Sequence, residues 1–145
     1  MNNIKNLKLE VPKLIDQLKK DLISKVKNSY APYSNFHVVA ALITKNNIYF
    51  GVNVENRSFG LTNCAERSAI FSAISNGDTD FVSIFIYSPD YDEPIPPCGA
   101  CRQVISEFSK DLPIVMLSKD FDYEITTIDK LLPKDSLNKL NEKMN

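Results

Sequence analysis

The chain has 145 residues, of which 43% are hydrophobic and 24% charged, and its formal net charge is −1 with a pI of about 5.8. Such a composition is typical of a soluble globular protein, and the length predicts a single domain spanning residues 1–145. The near-neutral charge and the lack of any run of about 18 apolar residues argue against nucleic-acid binding and membrane association.

The N-terminus and the cysteine count predict a cytoplasmic location. Residues 1–6 lack the apolar core of a signal peptide. Three cysteines cannot all pair, and the cytosol keeps thiols reduced. Metal ligation is therefore the better explanation for them.

An amphipathic helix is predicted to begin at Pro12, because proline favours the first helical position. Apolar residues then recur every four positions, at Leu14, Leu18, Leu22 and Val26. The lysines of this segment indicate a solvated face rather than a patch for an anionic partner. Residues 1–11 form an N-terminal extension without an assigned role.

A β-hairpin is predicted next, with strands at 36–44 and 48–54 joined by a turn at 45–47. Asn53 and Glu55 end the second strand. Since they are two residues apart on an extended chain, their side chains point to the same side.

Helices and strands alternate through the rest of the chain, which predicts an α/β layered sheet. One helix runs from Cys64 to about residue 76 and stops at Gly77. The other predicted segments are a buried central strand at 81–87, a proline-rich loop at 89–97, a helix led by Cys98 and Cys101, a strand at 113–117, a short helix at 128–132 and a polar tail at 134–145.

All three cysteines lie in two short stretches, 63–67 (NCAER) and 96–102 (PPCGACR). A structural zinc site uses four protein ligands, whereas a catalytic site uses three and leaves the fourth position to water. Glu66 follows the first cysteine by two residues, which places it near the metal but not on it. The pattern favours a catalytic zinc site held by Cys64, Cys98 and Cys101.

Three thiolates give bound Zn²⁺ a net charge of about −1, so positive groups are needed nearby. Each cysteine stretch opens a helix, and each helix N-terminus contributes roughly +0.5 of a charge and free N–H groups. One guanidinium, Arg67 or Arg102, would complete the balance, with Arg67 as the named candidate.

Two other interpretations stay open at this point. His37, the only histidine, could complete a structural Cys₃His site in a protein that binds partners without catalysis. Glu66 could be an acid favoured in a first helical turn by the helix dipole.

The segments 53–56 (NVEN), 64–67 (CAER) and 97–105 (PCGACRQVI) together closely resemble the small, homotetrameric, three-cysteine class of cytidine deaminases. The resemblance runs from about residue 30 to 133. It implies a three-layer α/β/α sandwich with a mixed sheet of about five strands, one Zn²⁺ per subunit and a homotetramer. It also implies hydrolytic deamination of cytidine and 2′-deoxycytidine in pyrimidine salvage.

The resemblance implies a role for each site residue. Glu66 carries protons from the zinc water to N3 and then to the departing amine. For the substrate, it implies that Phe36 packs on the pyrimidine, Asn53 and Glu55 hold the ribose, the Ala65 N–H donates to O2, and the Pro97 carbonyl accepts from the amine. A carboxylate on the ribose also repels phosphate, which favours nucleosides over nucleotides.

The chain departs from the family pattern at four positions. Val39 stands where glycine is usual, Arg57 where a small residue is usual, and Phe59 where tyrosine is usual. Ser136 occupies the place of a C-terminal aromatic residue. Arg57 is expected either to pair with an acid such as Glu55 or to relax the exclusion of phosphate.

Rival enzyme activities are deamination of blasticidin-type nucleoside antibiotics and of nucleic acid. Retention of Asn53 and Glu55 argues against the first, and the absence of a basic groove against the second.

Overall fold

The computed structural model describes residues 3–140. The helices are α1 (Asn3–Lys25), α2 (Ala65–Ser75), α3 (Gly99–Phe108) and α4 (Ile128–Leu131). The strands are β1 (Val39–Thr44), β2 (Ile48–Val52), β3 (Phe81–Tyr87), β4 (Pro113–Leu117) and β5 (Tyr123–Thr127). The predicted tail is described only to residue 140, and its remainder lies outside the described residues.

The five strands form one mixed sheet in the order β2-β1-β3-β4-β5. Strands β3 and β4 are parallel, and every other neighbouring pair is antiparallel. The hairpin and the central position of β3 are confirmed. The sequence did not single out β5, since this edge strand is polar and mostly exposed or half-buried.

Helices cover both faces of the sheet, which confirms the α/β/α sandwich. One core cluster joins α1 to residues such as Val39, Phe85 and Val115. The other joins α2, α3 and α4 to residues such as Leu42 and Ile84 on the opposite face. No helix of the described residues is long and apolar enough to cross a membrane.

The predicted start of α1 at Pro12 is wrong, because the helix already begins at Asn3 and contains Pro12. An interior proline costs about 3 kcal/mol in a helix. Leu7 and Val11 are buried and extend the apolar stripe of the helix toward its N-terminus. Burial of each side chain contributes about 1.5–3 kcal/mol, which offsets the proline.

The hairpin strands are shorter than predicted: β1 begins at Val39 rather than at 36, and β2 ends at Val52 rather than at 54. The N–H groups of residues 36–38 donate to side chains instead of to a strand, and the Val38 carbonyl accepts from the Asn53 backbone N–H just past β2. Val54 forms only single bridges to Tyr30 and Asn63.

Helix α2 packs unusually close to β2. A Cβ atom added at Gly51 would lie 2.8 Å from the carbonyl carbon of Ser68, and closer still to the backbone of Ala65 and Ala69. Glycine at this position therefore lets the start of α2, which follows Cys64, rest directly on the sheet.

Candidate metal and catalytic site

The three cysteine sulfurs meet at the N-terminal ends of two helices. Cys64 is the N-cap of α2, Cys98 is the N-cap of α3, and Cys101 lies in the first turn of α3. Their Sγ atoms all lie within 4.8 Å of one another, and all three thiols are free. The topology thus brings residues 34 positions apart into one cluster.

The donor set fits zinc. Tetrahedral Zn²⁺ with Zn–S bonds of about 2.3 Å requires sulfurs about 3.8 Å apart. The Sγ atoms of Cys64 and Cys98 are 3.7 Å apart. Among the described residues, the group able to hold a metal consists of these three cysteines without a fourth protein ligand.

His37 does not join this group. His37 lies just before β1, and its Nδ1 atom is 2.8 Å from Oδ2 of Asp90, which follows β3. Both side chains of this pair are partly exposed. The geometry therefore gives no support to a Cys₃His structural site.

Of the two candidate guanidiniums, Arg67 is the one that contacts a thiol. Its Nη2 donates to Cys64 Sγ at 3.3 Å. Arg102 instead donates from Nε to the Pro97 carbonyl at 2.8 Å and from Nη1 to the Leu131 carbonyl at 3.1 Å. Arg67 can thus balance thiolate charge, while Arg102 fixes the backbone beside the cluster.

The helix ends contribute less directly than the sequence suggested. Neither Cys64 nor Cys98 makes a side-chain cap hydrogen bond to its own helix. The first turns therefore act on the sulfurs through the helix dipole, and the direct donor to Cys64 is Arg67.

The pKa values of two of the thiols are shifted in opposite directions. A hydrogen bond with Cys101, helped by Arg67, lowers the pKa of Cys64 to about 5. The hydrogen bond with Cys64 and burial raise the pKa of Cys101. Cys64 is thus favoured as a thiolate, which is the form that binds metal.

Glu66 lies beside the cluster and is almost fully buried, with 4% exposure. Its Oε2 atom is 3.6 Å from Cys101 Sγ. Burial raises the pKa of Glu66 to about 7, a value at which a carboxyl group can both accept and release a proton near neutral pH.

The side chain of Asn53 is hydrogen-bonded to the backbone of Phe36. Phe36 is half-buried and packs against the core cluster of α2 and α3. Asn53 donates from Nδ2 to the Phe36 carbonyl at 2.8 Å, and its Oδ1 accepts from the Val38 N–H at 2.9 Å and from the Ser29 hydroxyl. These bonds leave one Asn53 N–H hydrogen for another partner.

Glu55 supports the turn that precedes Phe36. Its Oε1 accepts from the N–H groups of Tyr33 at 2.9 Å and Ser34 at 3.1 Å, and its Oε2 accepts from the Ser34 hydroxyl. The Ser34 hydroxyl bond is the main reason that the pKa of Glu55 lies below its usual value. Glu55 is therefore an ionised, half-exposed carboxylate with acceptor capacity remaining.

Ala65 and Pro97 are both buried; the first directly follows Cys64 and the second directly precedes Cys98. Ala65 is the first residue of α2, and the Pro97 carbonyl faces Arg102. A cavity of about 510 Å³ lies elsewhere, lined by residues such as Leu7, Lys45 and Asp111, and includes none of these site residues.

Four residues that support this site were not predicted from the sequence. Ser29 and Ser34 bond to Asn53 and Glu55, and Asp90 and Tyr91 contact His37 and Phe36. No local pattern identifies them, because each acts across more than 20 residues of sequence.

The departures from the family pattern lie in different environments. Val39 is fully buried against α1. Arg57 is exposed, and within residues 3–140 it takes part in no ion pair. Phe59 is 75% exposed, with its ring 6.0 Å from that of Tyr33, and Ser136 is exposed.

Comparison with known proteins gives consistent matches. Residues 13–117 match the family described as "Cytidine and deoxycytidylate deaminase zinc-binding region". A cytidine deaminase of Sporosarcina psychrophila is 43% identical over 127 residues, covering 86% of this chain and 90% of that protein. A Blasticidin-S deaminase of Bacillus cereus is more distant, at 39% over 105 residues, covering 67% and 74%. The crystal structure of cytidine deaminase from Burkholderia pseudomallei has a TM-score of 0.75 and 43% identity, covering 81% of this chain and 95% of that chain.

Proposed function

The chain belongs to the cytidine and deoxycytidylate deaminase family, and we propose that it hydrolyses cytidine and 2′-deoxycytidine to uridine and 2′-deoxyuridine with release of ammonia. The observation that carries this proposal is the contact between Glu66 and Cys101. It sets a buried carboxyl group with a pKa of about 7 beside three thiols spaced for zinc.

Cys64, Cys98 and Cys101 would hold the zinc ion. When bound, zinc supplies a water of lowered pKa as the nucleophile. Arg67 offsets the negative charge of the thiolates through its contact with Cys64.

Glu66 carries the protons of the reaction. It accepts one proton from the attacking water as the oxygen bonds to C4, and it delivers that proton to N3. It then carries the proton of the new C4 hydroxyl to the amino group, the C4–N bond breaks, and ammonia leaves. The carboxyl group ends in its starting state, so one residue serves both steps.

The remaining site residues orient the nucleoside. We assign the pyrimidine face to Phe36, the ribose hydroxyls to Asn53 and Glu55, the base O2 to the Ala65 N–H and the amino group to the Pro97 carbonyl. The free N–H of Asn53 and the ionised Glu55 supply one donor and one acceptor for sugar hydroxyls. The Pro97 carbonyl accepts from Arg102 and keeps a second lone pair for the substrate.

Free nucleosides are the proposed substrates rather than nucleotides. An ionised carboxylate at the ribose repels a nearby phosphate. Glu55 bonds to Tyr33 and Ser34, so the observed contacts do not favour its neutralisation by Arg57.

We also propose a cytoplasmic homotetramer. The three unpaired cysteines suit a reducing compartment. Phe59 and Leu61 are 75% and 71% exposed, and the Phe59 ring adjoins that of the exposed Tyr33. Contiguous exposed apolar surface of this kind is typical of an interaction site.

The test is the loss of cytidine absorbance on addition of zinc-loaded protein, repeated after chelation and after zinc is restored. Turnover that stops on chelation and returns with zinc is expected. The proposal fails if the protein binds zinc but neither converts cytidine nor shows a higher Tm when cytidine is added. Such a protein would be a structural zinc module.

A further inference from the structure

We propose that His37 and Asp90 form a positioning pair that holds Phe36 and Tyr91 together as two walls of the pocket for the pyrimidine ring. This inference rests on the proposed function. It depends on one oxygen atom of Asp90. This atom, Oδ2, accepts hydrogen bonds from the backbone N–H of His37 at 2.9 Å and from Nδ1 of the His37 ring at 2.8 Å. A carboxylate is only an acceptor, so the imidazole donates from Nδ1.

The two members of the pair adjoin the two aromatic residues. His37 directly follows Phe36, and Asp90 directly precedes Tyr91. The rings of Phe36 and Tyr91 meet edge to face, with centroids 6.4 Å apart and planes at 79°. This arrangement is favourable for aromatic pairs. The pair therefore fixes the separation between the pyrimidine-facing residue and the loop that leads to Cys98.

The backbone just before β1 depends on these side chains. Residues 36–38 precede the strand, and their N–H groups donate to side chains rather than to a neighbouring strand. Asn53 bonds to the Phe36 carbonyl and the Val38 N–H, and Asp90 takes the His37 N–H between them. Because the His37 and Asp90 side chains are 31% and 36% exposed, water can replace a lost bond. Loss of Asp90 therefore loosens the segment without unfolding the core.

The far side of the same loop is anchored independently. The Tyr91 carbonyl accepts from the Lys119 N–H at 2.9 Å, and the Ile95 N–H donates to the Leu117 carbonyl at 3.3 Å. These bonds keep the loop on β4 when Asp90 is changed. The expected defect is thus in substrate affinity rather than in the arrangement of the cysteines.

The test compares Asp90→Ala, Asp90→Asn and His37→Ala in the zinc-loaded protein, using cytidine kinetics and uridine binding by calorimetry. Asp90→Ala removes both hydrogen bonds to His37, which water can partly replace. It should raise the KM for cytidine and weaken uridine binding roughly three- to tenfold, with kcat within about twofold. Asparagine retains the single acceptor oxygen, so Asp90→Asn should restore both values. His37→Ala keeps the backbone bond and should give a smaller change.

The matched control is Asp92→Ala, in the same loop. The Asp92 side chain is 82% exposed and pairs with the Lys119 side chain at 2.6 Å rather than with His37. Its KM and uridine affinity should equal those of the wild type. Tyr91→Ala gives a second probe if an Asp90 variant folds poorly. It removes the ring that meets Phe36 and should raise the KM, and Tyr91→Phe, which restores the ring, should bring the KM back toward the wild-type value.

An unchanged KM in Asp90→Ala overturns the positioning role, as does a failure of Asp90→Asn to restore it or a loss of kcat alone. A wild-type protein that neither deaminates cytidine nor binds uridine overturns the proposed function and this inference with it. Failure of the positioning role is measured on the variants, whereas failure of the proposed function is measured on the wild type, so the two are distinguishable.

Discussion

Oε2 of Glu66 and Sγ of Cys101 lie 3.6 Å apart, although the two residues come from different helices and are separated by 35 positions in sequence. Glu66 lies in the first turn of α2, and Cys101 lies in the first turn of α3. Burial of Glu66 favours its neutral form, while the thiols are arranged for a cation. The pair thus sets the proposed proton carrier beside the cysteine cluster.

Replacing Glu66 by Gln should abolish turnover while zinc stays bound. Glutamine fills the same buried space but cannot carry a proton, and general acid–base catalysis contributes about 10²–10⁴-fold in rate. Zinc content per chain and kcat for cytidine are measured on the same preparation. Glu107→Gln is the control, since Glu107 is exposed on α3; near wild-type turnover in Glu66→Gln would contradict the assigned role.

Chelation should expose every thiol of the chain to a colorimetric thiol reagent. The chain has only three cysteines, and all three lie in the cluster. Zinc thiolates react slowly, so the loaded protein should consume little reagent until a chelator is added, and then three equivalents. A ligand that binds the folded state also stabilises it, so Tm should fall on zinc removal. Equal reaction rates with and without zinc would exclude the cluster as the metal site.

Replacing Arg67 by Gln should weaken zinc binding. The change removes the Nη2 contact to Cys64 and the adjacent positive charge, and loss of such an outer partner typically costs 10–100-fold in metal affinity. Competition with a chromophoric chelator measures this directly, without turnover. Arg57→Gln removes the same charge from an exposed position and should leave zinc affinity unchanged; equal losses in both variants would show that only net charge matters.

Replacing Gly51 by Ala should destabilise the fold and disturb the site together. The added Cβ would overlap the backbone of α2 at Ala65 and Ala69. A rigid backbone cannot yield as a side chain does, so a loss of at least about 1–3 kcal/mol in the free energy of unfolding is expected. Denaturant unfolding and kcat are the measurements. At Gly60 a Cβ meets no atom within 4 Å, so Gly60→Ala is the control, and a wild-type unfolding free energy in Gly51→Ala would contradict the close packing.

The sequence predicted the cysteine cluster and Glu66 because these residues sit in contiguous motifs at helix starts, where local rules hold. Strand β3 was equally clear, since a nearly continuous apolar run indicates burial on both faces. Pro12 misled the prediction of α1, because burial of Leu7 and Val11 outweighs a local helix-breaking preference. The bonds of Asn53, Glu55 and Asp90 depend on tertiary contacts, which no spacing rule encodes.

Replacing Glu55 by Gln should weaken nucleoside binding and narrow the difference in kcat/KM between cytidine and its 5′-monophosphate. Glutamine can still accept from the Tyr33 and Ser34 N–H groups, so the turn should stay folded. The lost charge removes the strong acceptor for ribose hydroxyls, and hydrogen bonds to charged groups are worth about 1.5–3 kcal/mol. The KM for cytidine should therefore rise at least about tenfold. The ratio of kcat/KM for cytidine to that for the monophosphate should fall, because the carboxylate no longer repels the phosphate.

Arg57→Ala supplies the opposite comparison: if the exposed guanidinium attracts phosphate, its removal should raise this ratio. A wild-type protein that already prefers the monophosphate would contradict the assignment of Glu55 as the barrier to nucleotides.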